Sequence, residues 1–168
     1  MKQISDCTGI LDWIPSSALR RDSVLRHADD VYAELQWKRS FGAIAEAETF
    51  EAKWSLKLEG FLFRQWVTIR KPGESMPVAM FQASPSFNGT LEFPDGHRYH
   101  WDSNFWLTRW IWSDTRGMEL IRMQRHLSLR TEGCVEVVSD ESIGNPDLPL
   151  LTVLGWYLIV LVTDLRPG

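Results

Sequence analysis

The sequence predicts a mainly β domain: a closed antiparallel β-barrel around one central hydrophobic C-terminal α-helix. Three observations carry that expectation. From Val31 onward, short runs rich in β-branched and aromatic residues recur about every 8 to 12 positions, as in antiparallel all-β domains. Turn residues punctuate them at Lys71-Pro72-Gly73, Pro94-Asp95-Gly96, Ser113 to Gly117 and Glu132-Gly133. Finally, LPLLTVLGWYLIVLV at 148 to 162 carries no charge between Asp147 and Asp164. At about 1.5 Å per residue that helix spans roughly 22 Å, short of the ~30 Å hydrocarbon core of a bilayer. Being apolar on every side, it must be enclosed by lipid or by protein.

In chain order, residues 1–29 read as an N-terminal extension. Ile10, Leu11, Trp13 and Ile14 form an apolar clump that Pro15 ends, and Ser16 or Ser17 caps a short expected helix from Ala18 to His27. The clump is expected either to dock outside the main domain or to stay mobile. The main domain takes 30–168. Its strands are expected at 31–37, 43–49, 51–58, 61–70, 77–83, 88–93, 97–101, 105–113, 118–124 and 134–139, with period-two alternation clearest at Trp54, Leu56 and Leu58. A series of about ten strands without βαβ alternation removes its exposed edges by closing, and a barrel of about ten to twelve strands leaves a lumen too wide for its own side chains. The helix at 148–162 fills that lumen. Leu151, Leu154, Trp156, Leu158, Ile159 and Leu161 would each contribute roughly 1.5 to 3 kcal/mol on burial.

Composition narrows the function classes. A chain of 168 residues with 44% hydrophobic content is one domain with a sizeable core. The formal charge of -4 argues against nucleic acid, whose phosphates call for a basic stripe. Two cysteines, Cys7 and Cys134, make neither a disulfide framework nor a Cys-x-x-Cys metal motif, and a reducing cytoplasm fits them. No apolar signal core marks the N-terminus. Nine tryptophans are an excess that suits barrels, interfaces and membrane belts.

The phrases GTLEFPDGHRYHW at 89–101 and WIWSDTRGMELIRMQR at 110–125, then an acidic linker and the terminal helix, resemble the tubby-like superfamily of tubby C-terminal domains, phospholipid scramblases and LURP-one-related proteins. The resemblance covers about residues 30 to 163. It implies about twelve strands around the helix and, from tubby domains, binding of anionic phosphoinositides. No residue-by-residue match to the tubby phosphoinositide site is present, and the cysteine-rich and proline-rich segments of scramblases are missing.

Candidate chemistry is sparse. Scramblase-like members carry an acidic calcium segment before the helix, where this chain has Asp140, Glu141, Asn145 and Asp147, oxygen ligands of the type calcium takes. The twelve-residue loop rule is not met, and a solvated turn with Asp147 at the positive end of the helix accounts for the same residues. His97 and His100, three apart on a strand, point to opposite faces and cannot share an ion. The cations Arg64, Arg70, Lys71, Arg98, Arg109, Arg122, Arg125 and Arg130 either gather into an anionic-lipid patch or disperse over the barrel wall. Between 101 and 112 one strand face holds Trp106, Trp110 and Trp112 and the other Phe105, Leu107 and Ile111, so the outward face calls for a cover: the N-terminal clump, a partner chain or a membrane. No nucleophile elbow, phosphate loop or Cys-His arrangement is visible.

The expectation is therefore a non-enzymatic binding or scaffold module without a cofactor, cytoplasmic and peripheral at an anionic phospholipid surface. The alternatives are a protein-interaction module using a Trp-rich outer face, or a scramblase-like membrane protein whose C-terminal helix is inserted.

Overall fold

A computed structural model describes residues 1–17, 21–38 and 42–165. After a short 3-10 turn, Ile4–Asp6, come twelve strands: β1 (Leu11–Pro15), β2 (Ser23–His27), β3 (Asp30–Trp37), β4 (Ile44–Thr49), β5 (Lys53–Phe61) and β6 (Arg64–Arg70), then β7 (Ala79–Ala83), β8 (Gly89–Glu92), β9 (Arg98–Ser103), β10 (Arg109–Ser113), β11 (Glu119–Arg125) and β12 (Gly133–Val137). Two helices end the chain, α1 (Asp140–Ile143) and α2 (Leu148–Leu165). Each strand pairs antiparallel with its sequence neighbours. β1 closes the barrel on β12, with Leu11 opposite Val135 and Trp13 opposite Gly133.

The alternation sorts side chains cleanly. Leu11, Trp13, Leu25, Leu35, Leu56 and Phe81 face the lumen fully buried, whereas Gln36, Glu46, Lys57, Arg122 and Glu136 lie exposed on the outer wall. Helix α2 occupies the lumen, and Leu148 to Val162 is buried on every side. Its environment is protein, so the alternative of a helix inserted in a membrane is corrected. Among the described residues no helix is long and apolar enough to cross a membrane.

Side-chain size sets where the helix sits. β3 and β4 present Ala33, Ala45 and Ala47 to the lumen, and α2 packs against these strands and β11. The opposite wall carries Trp101, Trp110 and Trp112, which take up the wider space. Trp156 stacks on Trp13 at 5.5 Å and Tyr157 on Trp37 at 5.0 Å, while the Tyr157 hydroxyl donates to the Ala43 carbonyl. The indole N–H groups of Trp13, Trp101, Trp112 and Trp156 are buried with no protein acceptor among the described residues. These four lumen tryptophans thus supply volume, not polar contacts.

Residues 1–29 are not an extension. They supply β1 and β2, and Ile4, buried, packs its 3-10 turn on α2. Leu11 and Trp13 of the apolar clump point into the lumen, with Asp12 exposed between them. Pro15 falls at the end of β1, where a missing N–H costs no ladder bond. Of the helix expected over 18–27, residues 18–20 lie outside the described residues, and Ser23–His27 is a strand. The run read as one strand over 105–113 is a turn followed by β10: Trp110 and Trp112 face the lumen, and Phe105 and Trp106 stand at the hairpin tip. The Trp-rich outer face is therefore corrected to one exposed tryptophan.

Candidate functional site: the far rim of the barrel

In an up-and-down barrel the hairpin turns alternate between two rims. At the near rim, where α2 begins, lie the β2–β3, β4–β5, β6–β7, β8–β9 and β10–β11 connections. The far rim carries the β1–β2, β3–β4, β5–β6, β7–β8, β9–β10 and β11–β12 connections and receives the end of α2. Contacts tie the helix to each rim. Asp147 meets His97 of the β8–β9 turn at 2.9 Å, Thr163 accepts from Arg125 at the end of β11, and Asp164 pairs with Arg21 at 3.0 Å.

Three far-rim hairpins push large apolar side chains into solvent. The β5–β6 tip exposes Phe61, Leu62 and Phe63, the last 83% accessible. The β9–β10 tip exposes Phe105 at 88% and Trp106 at 76%, and the β11–β12 connection exposes Leu127 and Leu129. Local chemistry builds each one. Phe61 pairs with Arg64, leaving Leu62-Phe63 as a two-residue turn with Leu62 in the left-handed region (φ 52°). Asn104 shapes the next: its Oδ1 accepts from the Thr108 and Arg109 N–H groups at 2.9 and 3.1 Å, and Leu107 takes φ 54°. In the third, the Ser128 hydroxyl donates to the Arg130 carbonyl at 2.6 Å. The Arg125 N–H donates to the Thr108 carbonyl at 2.9 Å, joining the last two tips. Between the first two, the β7–β8 hairpin turns Phe87 inward.

The predicted cations do not form one patch. Arg64, Arg109 and Arg125 lie on the far rim, at the start of β6, the start of β10 and the end of β11, and Arg130 joins them on the β11–β12 connection. Arg70, Lys71 and Arg98 lie on the near rim, and Arg98 pairs with Glu92 at 3.3 Å. Arg122 stands on the wall, donating to Glu119 at 2.8 Å. Among the described residues, none of the four far-rim arginines has a carboxylate partner. Several far-rim carboxylates are engaged elsewhere: Asp22 accepts from the Trp37 N–H at 2.7 Å, Asp164 holds Arg21, and Glu59 accepts from the Thr68 hydroxyl, which holds its carboxyl below the usual range despite opposing burial. The rim therefore sets unpaired positive charge beside exposed apolar tips. The stretch 61–63 was hidden in the sequence because aromatic residues belong to strands; Gly60 beside it was the available sign of a turn.

The near rim holds the expected calcium ligands but spends two of them, Asn145 and Asp147, on protein. Asp147 Oδ2 accepts from the Tyr99 hydroxyl at 2.7 Å and meets His97 Nε2 at 2.9 Å. Asn145 Nδ2 donates to Tyr99 at 3.1 Å, and its Oδ1 accepts from the Asp147 N–H at 2.8 Å. Asp140 and Glu141 sit apart in the first turn of α1. No group of three or more His, Cys, Asp or Glu among the described residues could hold a metal ion. Burial, then the bond to Asp147, pushes the Tyr99 hydroxyl up to about 12. Both ring nitrogens of His97 are occupied, Nδ1 by Asp95 and Nε2 by Asp147, so the ring presents no lone pair to a substrate. Burial disfavours the charged ring, yet its bonds to Asp95 and Asp147 outweigh this and raise its pKa. Beside the cluster lies an open depression of about 570 Å³ lined by Tyr99, Asp114, Arg116, Glu141 and Asn145, with Arg116 and Asp114 paired at 3.1 Å. His100 meets Thr90 instead, as its position on the other strand face requires.

No protein-family model, curated protein or solved structure matches the chain.

Proposed function

We propose that this protein is a tubby-like barrel that acts as a non-enzymatic module binding anionic phospholipid surfaces through its far rim. The observation that carries the reading is the coincidence, on one rim and among the described residues, of four arginines without carboxylate partners and three hairpin tips with exposed aromatic or aliphatic side chains. Anionic headgroups attract such cations from a Debye length away, and apolar side chains then gain by leaving water at the interface. Trp106 suits this depth, since its indole body is apolar and its N–H finds an acceptor among headgroups. The near-rim cations Arg70 and Lys71 face the opposite way and take no part.

Sedimentation with phosphatidylserine-containing vesicles tests the reading. Each cation near an anionic surface is worth about 1 kcal/mol, so R64Q/R109Q/R130Q should weaken binding by about two orders of magnitude at low salt. K71E, on the near rim, should leave it unchanged. Failure of the wild-type protein to pellet at low salt would remove the proposal.

A further inference from the structure

Resting on that reading, we infer that the far rim selects loosely packed, strongly curved anionic bilayers by sinking its three tips separately between headgroups. Among the described residues the exposed apolar side chains of the rim do not form a continuous face. The β7–β8 hairpin between the β5–β6 and β9–β10 tips folds Phe87 inward and shows Ser84 and Pro85 to solvent. A protein partner gains specificity from about 800 Å² of continuous complementary surface on each side, which three points around a barrel mouth do not offer. A fluid leaflet adapts to each point independently. Every tip that enters needs a gap about the size of an aromatic ring, and gaps of that kind multiply where curvature spreads the headgroups.

The backbone shapes the two aromatic tips. Leu62 and Leu107 hold left-handed φ values that glycine or asparagine would adopt without strain. At the β5–β6 tip this throws Leu62 outward between Phe61 and Phe63. At the β9–β10 tip the part-buried Leu107 packs on the core and anchors a turn whose two preceding residues, Phe105 and Trp106, project. Far-rim arginines then flank the tips at headgroup level.

Trp106 supplies the probe, being the one tryptophan among the exposed large hydrophobic residues. Binding is measured on phosphatidylcholine vesicles with a fixed fraction of phosphatidylserine, prepared at about 30 nm and about 200 nm diameter to vary curvature alone. The expected result is about tenfold tighter binding per unit lipid to the small vesicles. The emission difference between wild type and W106F should be quenched by lipids brominated on the acyl chain. F61S/F63S, altered only at exposed side chains and checked for an unchanged circular dichroism spectrum, should keep salt-sensitive binding while its size preference falls to about twofold or less. Equal affinity for both sizes, an unquenched Trp106, or a size preference untouched by F61S/F63S would overturn selection by insertion and leave surface binding standing. Absence of binding to any vesicle overturns both readings at once.

Discussion

His97 shows how a single residue couples charge to architecture. It bridges the β8–β9 turn and the start of α2, with Asp95 and Asp147 facing its two nitrogens, the Tyr99 hydroxyl sharing Asp147 and the Phe93 ring stacked on it at 4.0 Å. Because its folded-state pKa is raised above 6.5, its stabilising contribution is complete below about pH 6.5 and is lost as pH rises through the raised value. Asp95 acts with the opposite sign. The His97 N–H and then its ring lower the Asp95 pKa, so that contribution disappears as pH falls through the depressed value. Urea midpoints of wild type and H97Q measured from about pH 5.5 to 9 should therefore differ most at neutral to mildly acidic pH and converge on the alkaline side. The ring is 41% accessible, so the difference should stay within the ~0.2 to 1 kcal/mol of exposed pairs. A gap that did not change with pH would mean that His97 acts through packing alone. Little of this was readable beforehand. The spacing of His97 and His100 excluded a shared ion, but the partner of His97 lies 50 residues away, beyond any local pattern.

Among the elements, α2 was the most legible and carries the most stringent packing. Its uncharged run defined Leu148 to Val162, and the helix continues to Leu165 because Thr163 bonds back to the Ile159 carbonyl at 2.7 Å and Asp164 finds Arg21. Helix propensity alone would make Gly155 a liability of about 1 kcal/mol relative to alanine. The surroundings reverse that. A Cβ at Gly155 would stand 2.6 Å from Met123 Sδ and 2.9 Å from Trp112 Nε1, and at Gly133 one would meet Trp156 at 2.8 Å. G155A should therefore destabilise the domain by about 1 to 3 kcal/mol, the usual cost of overpacking, as read from denaturant midpoints. A stabilised G155A would show that Met123 yields at little cost. The strands were legible wherever alternation was strict, as at Trp54, Leu56 and Leu58, and least so at the hairpin tips. There, Phe61 to Phe63 and Phe105 to Trp106 have strand-like composition but are placed in turns by register and by the Asn104 side chain, neither of which is a property of composition.

At the scale of the molecule, the decisive contact is the one between β1 and β12, which turns an open meander into a barrel and seals α2 inside. Closure and a central helix followed from the strand series and the apolar run, but two of the twelve strands were hidden, and both lie in residues 1–29. β1 has five residues and ends in proline; β2 shares its segment with apolar positions spaced like a helix stripe; and the partner of β1 is more than a hundred residues away. Only the lumen's need for Leu11, Trp13 and Leu25 makes these segments strands. Deleting residues 1–29 separates the two views of this region. An extension could be removed with little effect on the domain. Removing β1 and β2 instead strips the Trp13 ring from Trp156, leaves β3 and β12 with unpaired edges, and opens one side of an all-apolar helix to water. Each large helix side chain returned to solvent forfeits roughly 1.5 to 3 kcal/mol, so exposure of a few would exceed the ~5 to 15 kcal/mol that holds a domain folded. The deleted protein is therefore expected to aggregate, or to persist only as a dye-binding state without near-ultraviolet circular dichroism. A soluble monomer that unfolds cooperatively would show that the remaining ten strands close around α2 unaided.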